Sequence, residues 1–411
     1  RSFPLIAGDT TFIAGPTQIV AIGANRKVLW RGPAGAAAPI GHGVSDPNGS
    51  TRGPAYTSAA YVTDGKSPQI IAVRQPEVHA DGWAIRALRG SDGKLLWTTE
   101  GNDSFADVIF ASTPAIAGRY VYAIAGQAGD QVDQLFLIAI ELTTGRQLWR
   151  ADLGTVSHPP PDPHRNAPAI GTYRPWLNQT SPLITGDAVI AAPNIGVVVS
   201  VDRFDGSIRW LHPYESLGMP PLDIHTSALA AAMDVQTARH HRKPGDPPLG
   251  PPMRWNNTPL AFGSSIFVAP QDSASVMALD AARGKMLWEV NQFPVPDARK
   301  LDEPMRSLGD FSLIGVVGDA VALQGPSTIG LAMSDGHLIG RNDALINASG
   351  PAVVEDGKIL VVTKDRGVLA ATDFSDATPV SIPPFNTALK NDAIRRALQA
   401  SDVLDCFTVP R

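Results

Sequence analysis

Two short segments of the chain hold the residue types best suited to bind a small planar or polar ligand. They read Trp176-Leu177-Asn178-Gln179-Thr180-Ser181-Pro182 and Arg254-Trp255-Asn256-Asn257-Thr258-Pro259, and each ends at a proline that precedes an apolar run. An aromatic face stacks on a planar group, and a carboxamide both donates and accepts hydrogen bonds. The candidate binding residues are therefore Trp176, Asn178, Gln179, Trp255, Asn256 and Asn257. The competing interpretation, which we favour, is that these carboxamides satisfy backbone groups where the chain is crowded.

The other reactive side chains form no recognisable catalytic or metal-binding motif. Among the nine histidines, His240 and His241 are adjacent and His158 and His164 lie six apart, and neither pair has the i, i+4 spacing of a zinc protease. The sequence has no Gly-x-Ser-x-Gly elbow, and its one cysteine, Cys406, has no obvious base nearby. We therefore expect no catalytic residue and no metal ligand.

One phrase recurs along the chain and sets the elements that must position any site. It places apolar residues on both sides of a polar turn and closes with a tryptophan, at Trp30, Trp97, Trp149, Trp210 and Trp288. In four copies a glycine stands four residues before the indole, at Gly93, Gly145, Gly206 and Gly284. The period of two predicts a β-hairpin whose glycine adopts the left-handed conformation. A large flat side chain with one N–H is best buried between two neighbouring sheets.

Each phrase follows a second pattern, in which two apolar runs flank a Gly/Asp turn. Its copies cover 4–14, 114–126, 182–193, 259–270, 313–325 and 351–364, with a looser copy at 55–73. Two strands from this pattern and two from the phrase make one four-stranded blade. Seven units are counted, of which the sixth has Gly340 in place of tryptophan and the last is degraded before Phe374. The sequence predicts an all-β fold, a β-propeller of seven four-stranded antiparallel blades, with eight blades as the alternative.

The phrase resembles the pyrroloquinoline-quinone-type (PQQ-like) propeller repeat: Ala-Leu-Asp, two or three variable residues, Thr-Gly-Lys, two residues, Trp. The resemblance spans about Pro4 to Phe374 and implies the propeller fold. In that fold the two ligand-suited segments face the axial funnel. The family includes quinone-dependent dehydrogenases, outer-membrane assembly lipoproteins and many propellers of unassigned role, so the resemblance does not decide the function.

The resemblance also implies what a quinone enzyme would need. The usual alcohol dehydrogenases of this family cover the quinone with a ring of adjacent cysteines, hold calcium with Glu, Asn and Asp, and use an Asp as base. This chain has no adjacent cysteines, and none of its Glu, Asn and Asp residues can be matched to the calcium motif. We therefore expect neither PQQ nor calcium as a cofactor.

Composition favours an exported protein. The chain of 411 residues is 44% hydrophobic and has a net charge of −5 without a basic stripe, which predicts no nucleic-acid binding. No apolar run approaches the roughly 20 residues of a transmembrane helix. The chain begins at Arg1 without a methionine, so we expect a mature or excised part of a longer precursor. A single cysteine excludes an internal disulfide, and a turn-rich β protein almost without cysteine suits the bacterial periplasm or cell surface.

Departures from the regular spacing mark where this propeller has its own features. Loop insertions are predicted near 32–52, 158–176 and 211–257, and the last two are rich in proline, which favours ordered arms. We divide the chain into a propeller domain, 1–384, and a C-terminal tail, 385–411, with a short helix and a possible ring-closing strand. Long loops of this kind favour docking of protein partners.

These observations lead to one leading hypothesis and two alternatives. The leading hypothesis is a non-catalytic, exported β-propeller that acts as a docking scaffold or as a subunit of a larger envelope assembly. The first alternative is a quinone- and calcium-dependent oxidoreductase. The second is a propeller that binds a sugar or another small ligand through the segments around Trp176 and Trp255.

Overall fold

The computed structural model describes residues 5–7, 9–14, 18–32, 59–63, 68–76, 83–129, 132–157, 179–216, 258–294, 305–325, 327–342, 352–355, 357–362, 368–371, 374 and 378–380. These residues form β-strands and two short 3-10 helices, Asp103–Phe105 and Leu308–Asp310. The all-β class predicted from the period of two is confirmed. The short helix and the ring-closing strand predicted for the tail lie outside the described residues.

The strands form seven antiparallel meanders of four consecutive strands, here called sheets 1 to 7 in chain order. Sheet 1 contains β1 (Leu5–Ala7), β2 (Thr10–Ala14), β3 (Ile19–Gly23) and β4 (Val28–Gly32). Sheet 2 contains β5 (Ala59–Thr63), β6 (Pro68–Pro76), β7 (Trp83–Arg89) and β8 (Leu95–Thr98). Sheet 3 contains β10 (Ala115–Ala117), β11 (Tyr120–Gln127), β12 (Val132–Glu141) and β13 (Gln147–Ser157), and β9 (Val108–Phe110) pairs with β11.

The second half of the chain repeats the same order. Sheet 4 contains β14 (Leu183–Thr185), β15 (Ala188–Ala191), β16 (Val197–Asp202) and β17 (Ile208–Pro213), and sheet 5 contains β18 (Leu260–Phe262), β19 (Ser265–Val268), β20 (Val276–Asp280) and β21 (Met286–Val290). A two-stranded ribbon of β22 (Gln292–Pro294) and β23 (Met305–Ser307) follows. Sheet 6 contains β24 (Ser312–Val317), β25 (Ala320–Gln324), β26 (Thr328–Ala332) and β27 (Leu338–Asn342). Sheet 7 contains β28 (Val353–Glu355), β29 (Lys358–Val362), β30 (Val368–Ala371) and β31 (Thr378–Val380).

The sheets are arranged as in a β-propeller, with the first strand of each sheet innermost. The first strand of every sheet contacts the first strand of the next, from β1 through β5, β10, β14, β18 and β24 to β28. Seven sheets in the described residues match the number of predicted repeats. The number of blades in the closed ring stays a prediction.

The two faces of this arrangement differ in how the strands are joined. On one face, here called the turn face, strand one meets strand two and strand three meets strand four, mostly through short turns such as Gly118-Arg119. On the opposite face, here called the connection face, strand two meets strand three and strand four leads to the next sheet. Because an antiparallel meander reverses at every turn, all connections between sheets begin and end on the connection face.

The repeated phrase forms the hairpin of strands three and four. Five turn glycines have positive φ values between 67° and 80°: Gly93, Gly145, Gly206, Gly284 and Gly336. In sheet 1, where the phrase has no glycine at this place, Arg26 takes the left-handed conformation with φ 62°. A β-bulge falls next to each tryptophan; in sheet 5, Ala278 pairs with Trp288 and Leu279 pairs with Met286. Leu287 is the extra residue of that bulge, and its side chain is 49% exposed.

Each of the five repeated indoles is a wedge between its own sheet and the next. The five tryptophans are only 7–9% exposed. Each Nε1 donates to a carbonyl oxygen in the turn of the following sheet, at 2.7–3.2 Å, in the pairs Trp30–Gly90, Trp97–Leu142, Trp149–Arg203, Trp210–Ala281 and Trp288–Met333. The ring also covers the turn glycine of that sheet, and a Cβ at Gly206 would lie 2.8 Å from Cδ2 of Trp149. The glycine is therefore needed both for its backbone conformation and for the space the indole occupies.

The junction between sheets 6 and 7 fills the same space from the opposite side. Sheet 6 has Gly340 where the other sheets have tryptophan, and Gly330 pairs with it on β26. The Phe374 side chain comes from sheet 7, between β30 and β31, and packs against both glycines. Phe374 is 7% exposed and belongs to a core with Ala322 and Ile359. An aromatic ring therefore separates these sheets too, but the following sheet supplies it.

Candidate functional site

The connection face is where the sheets differ most from one another. The segments 33–58, 158–178 and 217–257 each connect the fourth strand of one sheet to the first strand of the next, so each starts and ends on this face. These segments correspond to the three predicted insertions, and they lie outside the described residues. The candidate site is therefore built from the described residues at their roots.

Gln179 is the one member of the predicted ligand-binding set that the structure describes. It is 1% exposed and forms a parallel bridge to Ser112 beside sheet 3. Its Nε2 donates to the carbonyl oxygen of Pro193 at 2.8 Å, and its Oε1 accepts from Nδ2 of Asn194 at 3.1 Å. Both ends of the carboxamide are thus engaged within the protein, which supports the interpretation that Gln179 satisfies crowded polar groups. Trp176, Asn178, Trp255, Asn256 and Asn257 lie outside the described residues.

A belt of buried hydrogen bonds continues from Gln179 across sheets 4 and 5. Oδ1 of Asn194 accepts from the backbone N–H of Gln271 at 2.9 Å. Asp272 has no exposed surface; its Oδ2 accepts from the N–H of Gly196 at 3.0 Å, and its Oδ1 accepts from the Tyr214 hydroxyl at 2.6 Å. Tyr214 follows β17 and stands just before the segment 217–257. The belt therefore fixes the root of the longest insertion to two sheets at once.

A buried arginine forms the corresponding link between sheets 2 and 3. Arg74, at the end of β6, is 2% exposed, and its Nε donates to the carbonyl oxygen of Phe110 at 2.6 Å. Its guanidinium lies 4.0 Å from the centre of the Trp83 ring. Burial lowers the pKa of Arg74 to about 9, so the side chain remains charged at neutral pH.

A second arginine stiffens the same end of sheet 2. Nη2 of Arg86 lies 2.6 Å from Oε2 of Glu100, and its Nη1 donates to Oε1 of Gln75 at 3.3 Å. The two charged side chains are 6% and 15% exposed, so solvent screens this pair less than a surface pair. In sheet 6, Oε1 of Gln324 likewise accepts from the N–H of Ala352 at the start of sheet 7.

Sequence reasoning did not single out these linking residues. Arg74, Asp272 and Tyr214 belong to no recurring phrase, and single polar residues near strand ends carry no motif. Asn194 is the one residue among them whose type indicates its role, because asparagine tolerates the left-handed conformation in turns. In the structure it adopts a positive φ of 55°. The belt and the two arginines, Arg74 and Arg86, hold the strand ends in place. Their polar atoms bond to other groups of the protein.

The described first strands, which lie innermost, carry few of the oxygen ligands that a calcium ion beside a quinone would need. Calcium takes six to eight oxygen ligands and favours carboxylates. Among the first strands β1, β5, β10, β14, β18, β24 and β28, the only acidic residue is Glu355. In the described part of the chain, no three His, Cys, Asp or Glu residues cluster in a way that suits a metal ion.

No helix in the described ranges has the length and apolar character that a membrane crossing requires.

Comparisons with known proteins agree on one family. The sequence family described as outer membrane protein assembly factor BamB matches residues 1–289. The outer membrane protein assembly factor BamB of Yersinia pestis is 24% identical over 290 residues, which are 67% of this chain and 67% of that protein. The crystal structure of BamB from Moraxella catarrhalis superposes with a TM-score of 0.51 at 13% identity, and covers 92% of this chain and 86% of that one. At this identity the structural similarity establishes the propeller fold.

Proposed function

Because the chain belongs to the family of the outer membrane protein assembly factor BamB, we propose that it is a non-catalytic, exported β-propeller that docks protein partners within a bacterial envelope assembly. The name of the Yersinia pestis relative supports assembly of outer membrane proteins as the setting. That setting supports the periplasmic side of the envelope as the location of the chain. The partners are other protein subunits, and nucleic acid is not among them.

The asymmetry between the two faces is the observation that carries the proposal. Every connection between sheets begins and ends on the connection face, and the three longest arise there. The belt around Asp272 holds the roots of two of them, at Gln179 and Tyr214, and the buried Arg74 links sheets 2 and 3. A rigid base with long connections on one side is the usual way in which a repeat fold presents a binding surface. We propose that the partners dock on the connection face.

Co-purification from the native envelope tests this docking. Three variants of the tagged full chain each replace one segment, 33–58, 158–178 or 217–257, with a flexible Gly/Ser linker of equal length. Wild type is expected to co-purify with outer-membrane assembly proteins from detergent-solubilised envelopes. At least one variant is expected to lose these partners by about tenfold or more, with an unchanged melting temperature.

The matched control changes the turn face. Arg283→Ser with Lys285→Ser removes two charges beside Gly284 without altering any connection. This variant is expected to retain the partners. The proposal is wrong if wild type elutes only as a free monomer, or if all three linker variants keep their partners at the wild-type level.

We also propose that the chain works without PQQ and calcium. The single acidic residue among the described first strands supports this, because a calcium site needs several oxygen ligands. Protein incubated with the quinone and calcium is therefore expected to show no dye-linked oxidation of alcohols or sugars above a protein-free blank. Calcium-dependent turnover that survives repurification would instead identify an oxidoreductase.

A further inference from the structure

One corner of the turn face departs from the repeat in both charge and aromatic character. It lies between sheets 3 and 4 and consists of Arg119, Tyr120, Arg203 and Phe204, here called the Arg/aromatic corner. Arg119 lies in the turn between β10 and β11, Tyr120 begins β11, and Arg203 and Phe204 belong to the turn between β16 and β17. The Tyr120 and Phe204 rings meet edge to face, with centroids 6.1 Å apart.

The equivalent turns of other sheets show which residue types the fold accepts at the four positions of the corner. At the place of Arg119 they have Asp9, Asp187, Ser264 and Asp319, and at the place of Tyr120 they have Thr10, Ala188, Ser265 and Ala320. At the place of Arg203 they have Gly90, Leu142, Ala281 and Met333, and at the place of Phe204 they have Ser91, Thr143, Ala282 and Ser334. The fold is therefore built repeatedly without an arginine or an aromatic ring here. Folding alone does not explain the four residues of the corner.

The corner is exposed although it is rich in apolar surface. Phe204 is 51% exposed, Arg119 is exposed, and Tyr120 and Arg203 are half-buried. The Arg119 guanidinium carbon lies 5.3 Å from the centre of the Tyr120 ring, and that of Arg203 lies 5.0 Å from the centre of the Phe204 ring. Arginine and aromatic residues are the types most enriched at the centres of protein interfaces.

The corner is also rigid, because its turn is bonded on several sides. The carbonyl oxygen of Arg203 accepts from the Tyr122 hydroxyl at 3.0 Å and from Nε1 of Trp149 at 3.2 Å. Burial raises the pKa of Tyr122 to about 12, so its hydroxyl stays protonated and able to donate at neutral pH. Nη1 of Arg203 donates to the carbonyl oxygen of Gly186 at 2.9 Å. A partner that binds here pays little ordering entropy for these side chains.

The two arginines keep their positive charge available. In the described part of the chain, neither Arg119 nor Arg203 forms a salt bridge. The nearby acids have other partners, since Asp202 accepts from Nε of Arg209 at 3.2 Å and Glu141 accepts from the Thr144 hydroxyl at 2.7 Å. The bond from Arg209 lowers the pKa of Asp202 below its ordinary value. The corner thus has two guanidinium groups beside two aromatic rings, the Arg119 group exposed and the Arg203 group half-buried.

We propose that the Arg/aromatic corner is a second docking site, which binds a protein segment carrying an acidic residue next to an aromatic or large apolar one. The carboxylate pairs with Arg119 and Arg203, and the apolar side chain packs on Tyr120 and Phe204. Two arginines that form no salt bridge with the described residues favour an acidic segment, because charged groups across an interface complement each other. The site lies on the turn face, so it does not depend on docking at the connection face.

Peptide selection followed by affinity measurement tests the site. The comparison is with a variant in which residues of the corner are replaced by those found at the equivalent places of other sheets. Short random peptides displayed on phage are selected on the full wild-type chain and counter-selected on Arg119→Asp/Tyr120→Ala/Phe204→Ser. These replacements already occur at the equivalent places of other sheets, for example Asp187, Ala188 and Ser91. The variant is therefore expected to fold, which circular dichroism and the melting temperature check.

The selected peptides are expected to be enriched in Asp or Glu beside Phe, Tyr, Trp or Leu. The best peptide is expected to bind the variant about tenfold or more weakly, and its affinity for wild type is expected to fall with added salt. The control, Asp187→Ser/Ala282→Ser at the next corner, is expected to bind like wild type. Three outcomes would overturn the proposal: no sequence enrichment over the variant, enrichment without acidic residues, or concentration-dependent self-association of wild type that the triple variant abolishes.

Discussion

Replacing Trp288 with alanine is expected to lower the free energy of unfolding by about 3–5 kcal/mol. The indole is 7% exposed, lies 5.9 Å from the Phe267 ring between centroids, and covers Gly336 of the next sheet. Its removal leaves a cavity between sheets 5 and 6, and the carbonyl oxygen of Met333 loses its donor at 2.8 Å. Urea unfolding followed by circular dichroism measures the change without relying on tryptophan fluorescence.

The neighbouring residue is a control on the same strand. Leu287 is the extra residue of the bulge and is 49% exposed, so Leu287→Ala is expected to change the free energy of unfolding by less than about 0.5 kcal/mol. Equal effects from Leu287→Ala and Trp288→Ala would contradict the assignment of the indole as an inter-sheet wedge. The comparison is sharp because the two residues are adjacent and both apolar.

Gly340→Trp and Phe374→Ala together move the aromatic side chain from sheet 7 to sheet 6, and their effects on the free energy of unfolding are expected to be strongly coupled. Gly340→Trp alone is expected to destabilise by about 1–3 kcal/mol, because even a Cβ at Gly340 would lie 2.9 Å from Cβ of Phe374. Phe374→Ala alone is expected to cost about 3–5 kcal/mol, since a buried ring is lost. Combined, the two changes leave one ring in the same space, on the strand that carries it in sheets 1 to 5.

A double-mutant cycle measures this coupling. The double variant is expected to be more stable than the sum of the single changes predicts, by at least about 1 kcal/mol. Gly340→Trp with Leu287→Ala provides the control, because Leu287 is in another sheet and exposed, and these two changes are expected to be additive. Additive effects of Gly340→Trp and Phe374→Ala would show that the two residues do not share one space.

Most of the fold follows from the sequence because the repeat encodes local geometry several times over. The glycine four residues before four of the five repeated tryptophans predicted the hairpin, and the family resemblance predicted its place in a propeller. The first copy shows how far a pattern reaches: Arg26 adopts the left-handed conformation that glycine adopts elsewhere, which its residue type does not predict. Strand β9 and the ribbon of β22 and β23 were also not predicted, because they belong to the connections and occur in no repeat.

The candidate site was less predictable, because its contacts join residues far apart in sequence. The amide and aromatic residues near Gln179 suit either a ligand or crowded backbone groups, and the sequence does not show that the Gln179 carboxamide bonds to Pro193 and Asn194. The tie between Asp272 and Tyr214 spans 58 positions, and no local pattern encodes it. The Arg/aromatic corner is visible in the sequence only when the repeats are aligned on the sheets, because the register shows which residues occupy equivalent places.

The direction in which the aromatic rings are donated limits how such a protein can change length during evolution. Sheets 1 to 5 each carry their own aromatic ring, and sheets 2 to 6 each receive the ring of the sheet before them. Duplication or loss of one whole unit within that stretch therefore leaves every joint complete. Sheets 6 and 7 are different, because a duplicated sheet inserted between them would separate Gly340 from Phe374. The space beside Gly340 would then lack the aromatic side chain that fills it. Gain or loss of whole sheets during evolution is thus expected among sheets 1 to 5, while sheets 6 and 7 are expected to be inherited together.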